Sequence, residues 1–196
     1  MVTNFKQTGS WTTLKKFIKR GALAFSLTGS LCVSHHVAFA ETFSVPQTVA
    51  QVDVERYVGR WYEIAKLPQV FQAFCTKVTA DYALLENGRV SVENRCRLGD
   101  PNFGFPVNIK GEAYPVDETN SRLKVEFFGG ASVGDYWILE LDPEYRWALV
   151  GDPERSSLFV LSREPTLDEA LIEQLLSLAE TKHGYDISKV TRTRQE

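Results

Sequence analysis

Residues 77–96 read KVTADYALLENGRVSVENRC, and the fold turns on this stretch. Val78, Ala80, Tyr82 and Leu84 alternate with polar positions such as Thr79 and Asp81. A second alternating run, GRVSVENRC, follows the pair Asn87-Gly88. Asn and Gly tolerate the positive φ that a tight turn between antiparallel strands demands, so alternation on both sides of Asn-Gly predicts a β-hairpin. Its apolar positions predict the buried face.

Downstream, NIKGEAYPV, RLKVEFF, DYWILELD, RWALVGD and SLFVLSR each have strand length, separated by turn-rich pieces such as DETNS, GGASVG, DPEY and DPERSS. Upstream, GRWYEIAKL adds a first strand behind a short turn, VERYV, that Asp53 can cap. Eight short strands in succession predict an all-β fold, either an up-and-down antiparallel barrel or a sandwich. The period then becomes helical. In EPTLDEALIEQLLSLAETKHGY, Thr166 as N-cap and Glu169 three residues on form a capping box, which predicts a helix over about 166–182. Leu167, Leu171, Ile172, Leu175 and Leu178 form one stripe, suited to packing outside the sheet, and Gly184 ends the helix. Residues 185–190 are expected to add a short final strand.

The first 40 residues read differently. Lys15, Lys16, Lys19 and Arg20 precede the apolar run GALAFSLTGSLCVS and the small-residue ending Ala38-Phe39-Ala40, which predicts a signal peptide over 1–40 cleaved near Ala40. The run is short for a membrane span. Residues 41–52 are expected to form an extended leader and 53–196 the single folded domain. Of the 22 Lys and Arg, five precede Glu41, and none of the 25 Asp and Glu does, so the mature chain carries 17 basic residues against 25 acidic, a net charge of −8. Such a chain is repelled by phosphate backbones, which argues against nucleic-acid binding. Export leaves two cysteines, Cys75 and Cys96, where disulfides are permitted. Two readings stand: a bridge, or two buried thiols, because the Asn87-Gly88 hairpin places Cys75 several residues beyond the partner of Cys96. The mature chain keeps one histidine, His183, which reads as a helix-terminal charge. Without others there is no metal set or nucleophilic triad, and no metal or cofactor is expected.

Gly59-Arg60-Trp61 opening the first strand, Leu141-Asp142-Pro143-Glu144-Tyr145-Arg146 between strands six and seven, and Leu161-Ser162-Arg163 ending the eighth resemble the three motif regions of the lipocalin family. The longer runs GRWYEIAKLP, RLKVEFFGG, EYRWALVGDPERSSLFVLSREP and HGYDISKV are similar to bacterial lipocalins related to plant temperature-induced lipocalins and apolipoprotein D, over roughly 53–192. The resemblance implies an eight-stranded antiparallel up-and-down barrel with one C-terminal helix packed outside. It also implies structural roles for Gly59, Trp61, Asp142, Tyr145 and Arg163: Trp61 plugs the closed end, Gly59 lets the chain turn, and Arg163 packs its guanidinium across the indole. Many relatives look like lipoproteins, whereas Leu31 in place of a small residue precedes Cys32. A periplasmic or secreted protein is therefore expected, with outer-membrane association as the alternative.

An eight-stranded barrel can hold one small ligand. Alternation assigns Tyr82, Ile109, Val125 and Phe127 to the lining, and Glu140, which prefers water, turns Trp137, Leu139 and Leu141 inward, although Tyr136 and Ile138 compete for that face. This lining suits a fatty acid or lysophospholipid, its polar head left at the open end. The expected function is non-enzymatic binding of such a lipid in the cell envelope, with its transport as the further step and with membrane proximity and a homodimer left open. The competing reading is an enzyme acting on a lipid or isoprenoid through Glu63, which alternation from Trp61 also points inward, or another inward carboxylate, together with Tyr82.

Overall fold

The computed structural model describes residues 44–196; the signal peptide expected over 1–40, its expected cleavage near Ala40 and Cys32 lie outside them. Asp53 caps a single helical turn, α1 (Val54–Tyr57), by accepting from the Glu55 and Arg56 amides. Eight strands follow: β1 (Gly59–Lys66), β2 (Cys75–Leu84), β3 (Val90–Leu98), β4 (Phe105–Pro115), β5 (Arg122–Phe127), β6 (Ser132–Leu141), β7 (Trp147–Gly151) and β8 (Leu158–Ser162). Each pairs antiparallel with the next, and β1 pairs with both β2 and β8, which closes the sheet into a barrel. Closure decides between the two expected architectures and leaves the eight-strand sheet with no exposed edge. The β2–β3 hairpin turns at Gly88, where φ is +79°.

β1 and β2 pair only over Gly59–Tyr62 and then diverge. A ninth strand, β9 (Thr191–Arg192), fills the gap: it pairs with Ala65 and Lys66, and the amide of Lys77 donates to the Arg194 carbonyl at 2.7 Å. It falls just beyond the expected 185–190. One register shift in β2, between Thr76 and Thr79, explains the cysteines. Lys77 takes a positive φ of 47° there, the strand gains a residue, and Cys75 moves one place closer to Cys96. The bridge forms, with Cα atoms 5.4 Å apart. It closes a loop spanning 21 positions, so the Cys75→Ser/Cys96→Ser variant is expected to lose about 3 kcal/mol, read as a lower urea midpoint.

The domain has two apolar cores. One lies inside the barrel and includes Trp61, Val90, Val92, Val125, Ile138 and Leu161. The other lies outside, where helix α2 (Glu169–Thr181) covers Ile64, Leu139, Leu149, Leu158 and Val160 with Ile172, Leu175, Leu176 and Ala179. Strands β7 and β8 are thus buried on both faces, which is why they read as nearly unbroken apolar runs. The helix begins two residues later than the capping box predicts. Asp168, not Thr166, is the N-cap, because its carboxylate accepts from the Leu171 amide at 3.1 Å and lies at the positive end of the helix dipole. Gly184 ends the helix with a φ of +75°.

Candidate binding cavity

The five motif residues gather at the narrow end of the barrel. Trp61 is fully buried and its indole N–H donates to the Tyr57 carbonyl at 2.8 Å. The Arg163 guanidinium lies 3.7 Å from the indole centroid. It donates to the carbonyls of Arg60 and Arg56 at 2.8 Å, Tyr57 at 3.0 Å and Tyr145 at 3.2 Å, tying α1, β1 and the β6–β7 turn into one base. Gly59 has a φ of +96°, and a Cβ there would sit 3.4 Å from the Arg163 Nη1. In the β6–β7 turn, buried Asp142 accepts from the amides of Glu144 and Arg146 and from the Arg146 guanidinium, and that guanidinium holds its carboxyl below the usual range. Tyr145, at a φ of +60°, accepts from the Asp53 amide through its hydroxyl.

Above this base the barrel encloses a cavity of about 610 Å³, within the roughly 300–1,000 Å³ typical of small-molecule sites. Tyr82, Ile109, Val125 and Phe127 line it, as their alternation predicts. Trp137 and Leu139 do not: both lie on the outer face beneath α2, while Tyr136 and Ile138 face the cavity. The cause is a bulge in β6, where the register shifts between Ile138 and Glu140. Glu140 does point outward, to the Lys182 ammonium at 2.5 Å and His183 Nε2 at 2.8 Å. The bulge, however, breaks the alternation that would have turned Leu139 inward, and Leu141 alone of the three expected residues packs with the inner core. His183, read as a helix-terminal residue, is buried there against Glu140.

Glu63 points into the barrel and is buried, with a partner that alternation hides. A register shift between Glu63 and Ala65 brings Lys66 round to the same side, so that its ammonium lies 2.9 Å from Glu63 Oε1. Thr193 donates to the same oxygen at 2.5 Å, and Lys66 also donates to Gln72 at 3.1 Å. At the open end Phe71, Phe128 and Val133 rim the mouth with large exposed apolar surface.

Sequence reasoning placed Tyr82 in the lining but did not bring it together with Tyr57 and Tyr136 at the floor. The hydroxyls of Tyr57 and Tyr136 are 2.8 Å apart, and Tyr82 donates to Tyr136 at 3.3 Å. Tyr57 sits in the turn before the first strand, so no periodicity marks it as a lining residue; Tyr136 is on the face of β6 that the bulge selects. Burial raises all three hydroxyl pKa values, that of Tyr82 to about 12, so they stay protonated at neutral pH. A second recess lies on the outer wall of β1–β4, where Arg60 and Arg95 are both already paired with Asp81.

A family model described as a lipocalin-like domain matches residues 52–195. Temperature-induced lipocalin-1 of Arabidopsis thaliana is 40% identical over 158 residues, covering 76% of this chain and 82% of that protein. Outer membrane lipoprotein Blc of Escherichia coli strain K12 is 39% identical over 148 residues, covering 75% and 81%. Among solved structures, insecticyanin from the tobacco hornworm Manduca sexta superposes with a TM-score of 0.60 at 19% identity, covering 77% of this chain and 84% of that one.

Proposed function

This chain belongs to the lipocalin family, and from that premise we propose that it binds one lipid-derived hydrophobic molecule, a fatty acid, lysophospholipid or similar membrane lipid, and carries it within the cell envelope. The observation that carries this reading is the 610 Å³ cavity itself, apolar-walled, closed at one end by Trp61 and Arg163 and open at the other. Each methylene moved from water into such a wall contributes about 0.8 kcal/mol, enough over a long acyl chain to offset the ordering cost of binding. The apolar rim formed by Phe71 and Phe128 lets an entering chain lose water progressively.

Envelope residence is supported by the E. coli relative, named an outer membrane lipoprotein, and by the export signal read in residues 1–40. The sequence before Cys32 favours a free protein over an anchored one. The reading assigns no turnover to the cavity. The inward carboxylate that the sequence singles out, Glu63, is engaged by Lys66 and Thr193, an arrangement that suits a structural ion pair better than a general acid.

Titration of delipidated protein with a fluorescent polyene fatty acid, followed by displacement with oleate, is expected to show one saturable site per chain at micromolar or lower lipid. No displaceable binding in that range would sink the proposal.

A further inference from the structure

The tyrosine floor has a hydrogen-bond surplus. Three hydroxyls bring three protons, and the cluster contains two hydrogen bonds, Tyr82 to Tyr136 and the one between Tyr136 and Tyr57. Whichever way the second bond runs, one O–H, on Tyr57 or on Tyr136, has no acceptor among the described residues. All three side chains line the cavity, and Tyr57 is more than nine-tenths buried. A buried donor of this kind seeks an oxygen from whatever enters.

The charge beneath the floor points to the kind of oxygen. Arg163 donates only to neutral carbonyls, those of Arg56, Tyr57, Arg60 and Tyr145, and has no carboxylate partner among the described residues. The guanidinium stacks on the Trp61 indole, and the Tyr57 ring packs 5.0 Å from that indole, so a positive charge lies beneath the tyrosine cluster. A donor backed by a cation in apolar surroundings favours an anionic acceptor over a neutral one.

We infer that the guest binds head-down: a long-chain carboxylate places its carboxyl group on the Tyr57–Tyr136–Tyr82 cluster and leaves its hydrocarbon tail toward the Phe71–Phe128 mouth. This deepens the carrier reading and rests on it, and it reverses the orientation expected from the sequence, in which the head stays at the open end. Lysophospholipids, whose large zwitterionic heads stay outside, present a methyl terminus to the floor and leave the spare O–H unpaired. Free fatty acids are therefore the better-matched class.

The test compares palmitate, 1-hexadecanol and palmitoyl lysophosphatidylcholine on the delipidated wild type and on Tyr57→Phe/Tyr82→Phe/Tyr136→Phe, a triple variant that removes the spare proton; with only Tyr57 and Tyr136 replaced, the Tyr82 O–H would lose its acceptor and become the spare donor itself. The variant is expected to bind palmitate at least tenfold more weakly while its affinity for the lysophospholipid stays within twofold, which also reports that the barrel is intact. Hexadecanol is expected to bind the wild type more weakly than palmitate does. The carboxyl 13C resonance of labelled palmitate is expected to differ between bound and free forms and, when bound, to hold its position across the pH range in which free palmitate titrates. Equal weakening of both lipids, no change in either, or a bound carboxyl that titrates as in water would overturn the inference and leave the carrier reading standing. Failure of the wild type to bind any of the three would overturn both.

Discussion

Trp61→Ala is expected to lower the unfolding free energy by about 3–5 kcal/mol, the usual range for removing a large buried aromatic side chain. The indole has no exposed surface, fills the base of the barrel and donates to the Tyr57 carbonyl. Truncation leaves a void there and deprives the Arg163 guanidinium of the ring it covers at 3.7 Å, so a cation and the carbonyls it holds lose their apolar shield. In a domain of this size the loss corresponds to a fall in melting temperature of roughly 10 °C. Trp61→Phe, which keeps an aromatic plate but not the N–H, is expected to cost less than half as much. Urea unfolding followed by far-ultraviolet circular dichroism measures both; a loss below about 1 kcal/mol for Trp61→Ala would mean that the base is held by something other than the indole.

Lys66→Met is expected to be comparably damaging, about 3–5 kcal/mol, because it strands Glu63 inside the barrel. The two side chains are 8% and 4% exposed, and their charged atoms are 2.9 Å apart. Thr193 would remain as a hydrogen-bond donor to the carboxylate, but a hydroxyl does not neutralise it. Removing both charges, in Glu63→Gln/Lys66→Met, is expected to recover most of the loss, since a buried pair is easily replaced as a pair and poorly tolerated as a half. The four proteins form a double-mutant cycle whose coupling energy should exceed 2 kcal/mol. Additive effects of the two single substitutions would show that the residues do not act as a pair.

Much of this fold was legible in the sequence because its determinants are local. Asn87-Gly88 between alternating runs fixes the first hairpin, and turn-rich pieces at short intervals mark the remaining strands. The helical stripe announces a covering helix, although its cap moved from Thr166 to Asp168, two residues whose side chains serve the same purpose. The base was legible through its resemblance to lipocalin motifs: Gly59, Trp61, Asp142, Tyr145 and Arg163 come together as a set because the Arg163 fork reaches backbone carbonyls from three segments.

What escaped depends on bulges, which have no reliable mark in a single sequence. A bulge turns Lys66 toward Glu63, another places Leu139 beneath the helix, and a third, at Lys77, draws Cys75 within reach of Cys96. Strand β6 was ambiguous for a second reason: barrel interior and helix bury its two faces almost equally, so apolar content cannot tell them apart. The tyrosine cluster was invisible because its members come from α1, β2 and β6, and only closure of the barrel brings their hydroxyls together.

Everything in the carrier role depends on the cavity taking in one guest. Native mass spectrometry of delipidated protein incubated with excess oleate tests this directly, using as its control Ala113→Trp, a variant that projects an indole from the buried Ala113 of the cavity wall. The expected spectrum shows a single oleate adduct per wild-type chain and none, or a trace, on the folded Ala113→Trp protein. Equal adducts on both proteins, or several adducts without a preferred stoichiometry, would place the lipid on the surface and contradict an enclosed binding site.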